Sequence, residues 1–214
     1  GADTARWFML SDSPPERDLD WTESGITGAW RFSNRLWRLV AANAGALPPI
    51  GTDPGSADVR RAVHAAIAGL TEDLEAFHFN RSVARVHELV NALSDVDVET
   101  DGGALREGLE TVTLLIGPMM PHLAEELWRM LGHETLVADS PWPVADDSLL
   151  VQDTVKLAVQ VRGKMRGTVE IPHDADQATA EAAALALATV TAALDGDEIK
   201  KIIYVPNRII NVIH

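Results

Sequence analysis

Two groups of basic side chains have the spacing to grip phosphate. Arg31, Arg35 and Arg38 recur at steps of four and three, so a helix brings them to one side. Guanidinium forks hold phosphate oxygens in pairs, which makes such a stripe a candidate contact for a nucleic-acid backbone. The competing reading is a solvated face, or ion pairs with Glu16, Asp18 and Glu23. Arg162, Lys164 and Arg166 are interleaved with Gly163 and Gly167. Glycine admits close backbone approach, and alternate residues of a regularly paired strand share a face, so Lys164 and Arg166 are expected to point the same way. Lys200, Lys201 and Arg208 fall in a second hairpin pattern. A small sheet with basic hairpin ends can meet an RNA backbone by shape and charge. Protection of sheet edges by charge uses the same residues, and both readings stand on the residues alone.

No catalytic constellation accompanies these cations. The sequence has no glycine-rich phosphate loop, no H-E-x-x-H and no G-x-S-x-G. It has no cysteine, which removes disulfides, thiolate metal sites and Cys nucleophiles together. His122, after Pro121, is expected to face a helix-bundle interior or cap a turn. Glu125 and Glu126 are adjacent, so on a helix they diverge and make no acid–base pair. The expected catalytic residues, metal ligands and bound cofactors of this chain are therefore none.

The elements that must position the cations change period along the chain. Residues 2–10 read as helix, broken by Ser11 to Pro15. Thr22 is suited to cap the next helix, with Trp21 before it and Ile26 after it at hydrophobic-staple spacing. Ile26, Trp30, Ser33, Trp37 and Val40 then form one face, widened by Ala29, Leu36 and Ala44. So much aromatic surface predicts burial of that face. After a Pro/Gly-rich loop from Leu47 to Gly55, Val59, Val63, Ile67, Leu70, Leu74 and Phe77 predict a helix capped by Ser56 or Asp58. Val83, Val86, Val90 and Leu93 predict another. Asp95 to Gly103 reads as an acidic connector, followed by Leu105, Leu109, Val112 and Ile116. Pro118 interrupts that helix, and Pro121 restarts one at a position where its missing donor is harmless. Ser140 to Asp147 reads as an extended linker.

After Leu150 the period becomes two. Val155, Leu157, Val159 and Val161 alternate with polar or small residues. Arg162-Gly163 is a turn, and Met165 to Ile171 returns. An Ala-rich helix opened by Asp174 or Asp176 reaches Leu194, and two strands follow around Pro206-Asn207-Arg208. The expected fold class is an α-helical bundle, residues 1–145, followed by a small α+β domain (ββαββ), residues 151–214. The charge distribution agrees with a division. Net charge is −14. Residues 1–150 hold 24 acidic and 11 basic side chains and no lysine, while all four lysines lie in the last 64 residues. The acidic total argues against a strong general nucleic-acid binder, but not against local basic patches. No apolar run is long enough to span a bilayer, and GADTARWFML lacks the basic and apolar regions of a signal peptide. It reads as the continuation of a helix from a longer chain. A cytoplasmic monomer without membrane contact is expected.

Several stretches resemble the C-terminal portion of bacterial leucyl-tRNA synthetase. They are Ser13-Pro14-Pro15, Asp18 to Trp21, Gly25, Gly28 and Arg31-Phe32 to Trp37-Arg38-Leu39. Leu114 to His122 with Glu125-Glu126-Leu127-Trp128 is similar to a segment of the helical anticodon-binding domains of the leucyl, valyl and isoleucyl enzymes. Val159 to Gly167, Ile203 to Pro206 and Asn211-Val212 are similar to the small terminal domain of the leucyl enzyme. The resemblance covers essentially the whole chain. It implies a parent that activates leucine with ATP and Mg and transfers it to leucine tRNA. It also implies a helical domain along the tRNA stem and a terminal domain, tethered by Pro143 to Asp153, at the tRNA elbow and long variable arm. The HIGH and KMSKS signatures of that family have no match here, so neither aminoacylation nor editing is expected of this chain without the N-terminal catalytic and editing domains. Two departures touch the hairpins: Arg162 stands where the family often has Asn, and Asn207-Arg208 replaces a more usual Gly-Lys. From a different class, the alternative is an acidic helical protein-interaction module without RNA affinity.

Overall fold

Apolar residues at helical spacing make the first part of the molecule a bundle, and alternation makes the last part a sheet. The computed structural model describes residues 1–53, 55–151 and 154–214. They divide into two units, Gly1–Leu150 and Val151–His214, each with its own core.

The first unit is helical. Its helices are α1 (Ala2–Asp12), α2 (Glu23–Asn43), α3 (Ala57–Glu75), α4 (Phe79–Ser94), α5 (Val98–Ile116), α6 (Pro121–Met130) and the short α7 (Asp147–Leu150). Thr22 caps α2 by accepting the Gly25 amide at 3.2 Å. Leu36, Val63, Leu70, Val86, Val90, Leu105, Leu109, Val112 and Ile116 are fully buried, as their spacing predicts. Burying each such side chain contributes about 1.5–3 kcal/mol. Trp7 stacks on Phe32 with ring centroids 4.6 Å apart, which fastens α1 to α2. Pro121 sits in the first turn of α6.

The structure corrects several expectations here. The Trp21 ring meets Phe8 edge-on at 5.4 Å, a partner that staple spacing does not name. The acidic connector is helical from Val98, with a kink at Asp101 (φ −140°, ψ 39°). Ser56 occupies the N-cap position of α3, but its hydroxyl makes no capping bond there; both its amide and its hydroxyl donate to Asp101. Phe77 lies beyond the end of α3 at φ +58° and is exposed. The stretch read as linker is docked on α3: Trp142 donates to Thr71 Oγ1 at 2.8 Å, and the Asp146 amide donates to His64 Nδ1 at 2.9 Å. His64 is buried and holds Glu107 through Nε2 at 3.1 Å. Of the tether expected from Pro143 to Asp153, the residues through Leu150 thus belong to the bundle, while Gln152 and Asp153 lie outside the described residues.

His87 packs beside the stacked Phe32 and Trp7 rings, with ring centroids 4.3 and 5.9 Å away. Burial, reinforced by Arg35, lowers its pKa. The unfolded chain therefore takes up a proton near pH 6.5 that the native state refuses, so stability must fall as pH drops below about 6.5. Denaturant unfolding at pH 7.5 and 5.5 should show this loss, and His87→Gln should remove most of the difference. An equally steep acid limb in the variant would assign the effect elsewhere.

The second unit contains β1 (Thr154–Val161), β2 (Lys164–Pro172), α8 (Gln177–Leu185), α9 (Ala188–Leu194), β3 (Lys201–Val205) and β4 (Ile209–Ile213). The sheet order is β2-β1-β4-β3, with β1 and β4 parallel. Leu157, Val159, Val161, Ile210 and Val212 form its buried face with Ala180, Ala184 and Val190. Asp176 caps α8 by accepting the Thr179 amide at 2.8 Å. The single expected helix is two helices bent by 82°, because Leu187 turns extended (ψ 124°) and packs against the core. Among the described residues no single helix is long and apolar enough to cross a membrane.

Candidate nucleic-acid interface

Three strips run along α2. Ala29, Phe32, Leu36 and Val40 are buried and hold the helix to the bundle. Arg31, Arg35 and Arg38 lie on a second strip and are exposed. None of the three pairs with Glu16, Asp18 or Glu23; among the described residues, no ion pair involves them at all. Arg35 instead donates to Asn91 Oδ1 at 2.6 Å and Ser94 Oγ at 3.1 Å on α4. Arg31 and Arg38, seven residues apart, remain as the outward cations. The third strip overturns an expectation: Trp30 and Trp37 are 55% and 39% exposed. The face expected to be buried is divided: Ala29, Leu36 and Val40 are buried as read, joined by Phe32, and Ile26 packs half-buried against the core, while the two tryptophans stay outward.

In the second unit the register decides which cations meet. The β1–β2 turn has Arg162 at φ +50° and Gly163 at φ +74°, the two positive values a tight hairpin turn of the primed type requires. Arg162 tolerates this left-handed position while both Nε and Nη2 donate to the His214 carbonyl, at 3.2 and 2.8 Å. The pairing beyond the turn is not regular. Val159 opposes Gly167 while Gln160 opposes Met165, so Arg166 is the extra residue of a bulge. Simple alternation therefore does not set the directions of Lys164 and Arg166, contrary to expectation.

Lys201 opposes Ile213, and Val212 opposes Val161. These registers bring Lys200 and Lys201 to the same end of the sheet as Arg162, Lys164 and Arg166. That end is three strand spacings wide, about 14 Å. Arg208 precedes β4 and so stands at that strand's other end, about 15 Å away along the strand, rather than with Lys200 and Lys201 as expected. Its turn is fixed by Asn207 at φ +57°, whose side chain accepts from the Asp174 amide and donates to the Asp174 carboxylate. The Asn207 bond, helped by nearby His173, holds the Asp174 carboxyl below its usual range. Among the described residues, none of Lys164, Arg166, Lys200, Lys201 or Arg208 is in an ion pair. Asp197, just before β3, is held by His214 Nδ1 at 2.7 Å.

The other flagged residues are structural. His122 points outward, 79% exposed, and meets Asp3 at 2.9 Å instead of facing the interior. Glu125 accepts the Val137 and Ala138 amides, and Glu126 pairs with Arg129. Sequence reasoning passed over Arg106, which is buried and bonded to the Pro48 and Leu131 carbonyls and to Glu110. An arginine inside the apolar run from Ala104 to Ile116, with a glutamate four residues on, was the available signal.

Comparison with known proteins gives a consistent set of likenesses. Residues 57–182 match the family model described as the anticodon-binding domain of tRNA ligase. The whole chain is 56% identical to part of the leucine–tRNA ligase of Paramagnetospirillum magneticum and 54% identical to part of that of Rhodospirillum rubrum. It spans about a quarter of the length of these curated relatives, 25% and 26% respectively. Among solved structures, it superposes with a TM-score of 0.81 and 30% identity on LeuRS of Agrobacterium radiobacter in a ternary complex with tRNA and LeuAMS. That match covers all of this chain and 29% of the other.

Proposed function

The chain belongs to the family of anticodon-binding domains of tRNA ligases, and from that premise we propose that it is the tRNA-binding portion of a leucine–tRNA ligase. In this reading leucine activation, with its ATP and Mg, and editing belong to the three quarters of such an enzyme that lie outside this chain. The complete enzyme is a cytoplasmic monomer, and leucine tRNA is the partner. The cations gathered at one end of the sheet carry the reading. Lys164, Arg166, Lys200 and Lys201 stand together and form no ion pair among the described residues, in a chain of net charge −14. Maintaining such a group against its own repulsion suits an anionic partner. On α2, Arg31 and Arg38 serve a phosphate backbone. Arg35 and Arg162 are spent on neutral partners and orient their elements, and Arg208 stands apart.

A titration with leucine tRNA and with a tRNA of short variable arm, at 50 and 200 mM salt, tests this. Binding should favour leucine tRNA and weaken with salt, with a slope of about 0.7–0.9 per phosphate contact. Equal, salt-independent affinities for the two tRNAs, or no binding, would overturn it and favour the protein-interaction alternative.

A further inference from the structure

Within the helical unit, Gly1–Leu150, the tryptophan strip of α2 is left partly open to solvent but is finished as a dry surface. Trp30, Ser33, Trp37 and Ala41 recur along it without a charge, and Ile26 at its start already packs against the bundle core. Trp30 and Trp37 are 55% and 39% exposed, and Trp21, just before the cap, is 64% exposed. The polar side chains nearby are turned back onto their own helix. Ser33 donates to the Ala29 carbonyl at 3.0 Å and Asn34 to the Trp30 carbonyl at 2.8 Å. Their hydrogen bonds are thus met without solvent. Exposed tryptophans in a row, with neighbouring polar groups already satisfied, have the composition of an interface centre.

We propose that this strip is the seat of an apolar protein surface belonging to the remainder of the tRNA ligase. Relatives of this chain are about four times as long, so a large folded mass is available to cover it. Phosphate fits poorly, because the strip offers no cation; Arg31 and Arg38 lie about a quarter turn or more further around the helix. A second copy fits poorly too, because residues 1–150 carry 24 acidic against 11 basic side chains and repel one another. The inference rests on family membership, not on RNA affinity.

The test places this chain in the Paramagnetospirillum magneticum ligase, in place of the matching quarter. Oxidative footprinting then reads Trp30 and Trp37 in the chimera and in the isolated chain, without RNA. Both tryptophans should oxidise several-fold more slowly in the chimera. Trp30→Ala with Trp37→Ala should lower the unfolding midpoint of the chimera by several degrees and that of the isolated chain by no more than about 2 °C. Three outcomes overturn the proposal: equal oxidation in both proteins, protection that appears only on adding leucine tRNA, or protection in the isolated chain that grows with its concentration. An equal loss of stability in both proteins also overturns it, by making the tryptophans part of the bundle's own packing. Because no RNA enters the decisive comparison, a failure of RNA binding leaves this result interpretable.

Discussion

Replacing Lys164, Arg166, Lys200 and Lys201 together by alanine is expected to weaken the binding of leucine tRNA roughly a hundred- to a thousand-fold at 0.1 M salt. The estimate follows from counterion release. Each neutralised phosphate contributes about 0.7–0.9 to the slope of log affinity against log salt, so four contacts account for about three. At 0.1 M salt those three units are nearly three decades of affinity. The variant should therefore show both weaker binding and a flatter salt dependence. A loss of affinity with the slope unchanged would mean that the four cations act through folding, not through phosphate.

The structure supplies the control for that experiment. All four side chains are exposed and none is in an ion pair among the described residues, so their removal should change stability by no more than about 0.5 kcal/mol each. Arg208 has the same charge and exposure but precedes the first residue of β4, whose last residue opposes Lys201. Arg208→Ala should cost at most one contact. If it weakened binding as much as the quadruple variant, the grouping by sheet register would be wrong and net charge alone would explain the affinity.

The difference between Arg208 and the lysines shows what sequence alone could supply. Periodicity located the helices well, because a helix core is specified by contacts three and four residues apart, all visible locally. Val83, Val86, Val90 and Leu93 lie buried as read. Which cations meet across a sheet depends on strand order and register, and β1 pairs in parallel with β4 across some 50 intervening residues. No local pattern carries that, nor the bulge that breaks the alternation at Arg166. The tryptophans of α2 failed for another reason. Hydrophobicity asks that a surface be covered but not by what; the bundle chose Phe32 and Leu36, and left Trp30 and Trp37 outward. The docked segment from Trp142 to Leu150 was missed because Pro and polar residues imitate a linker. Its anchors, Thr71 and His64, lie more than seventy residues away.

Arg106→Met should destabilise the first unit by about 3–5 kcal/mol, the cost of leaving one half of a buried ion pair without its partner. The Arg106 side chain is 10% exposed and that of Glu110 22%, with 2.8 Å between them. Arg106 also donates to the Pro48 carbonyl, in the loop after α2, and to the Leu131 carbonyl, at the end of α6, at 3.1 Å. One guanidinium thus ties two separate segments to α5. Glu110 in turn meets His133 Nε2 at 3.0 Å, and His133 stacks on Trp128 at 3.6 Å. Methionine fills similar volume but offers no donor. Two backbone carbonyls lose their donor and the Glu110 carboxylate keeps only His133, and unmet buried acceptors cost about 1–3 kcal/mol each. Adding Glu110→Leu should recover part of the loss, since an uncompensated buried charge is worse than no charge. The two carbonyls would still lack a donor, so recovery should stay incomplete. Denaturant unfolding of the single and double variants measures all of this. A loss below about 1 kcal/mol in Arg106→Met would show that water reaches these acceptors, and that Arg106 is a packed side chain and not the tie of the bundle.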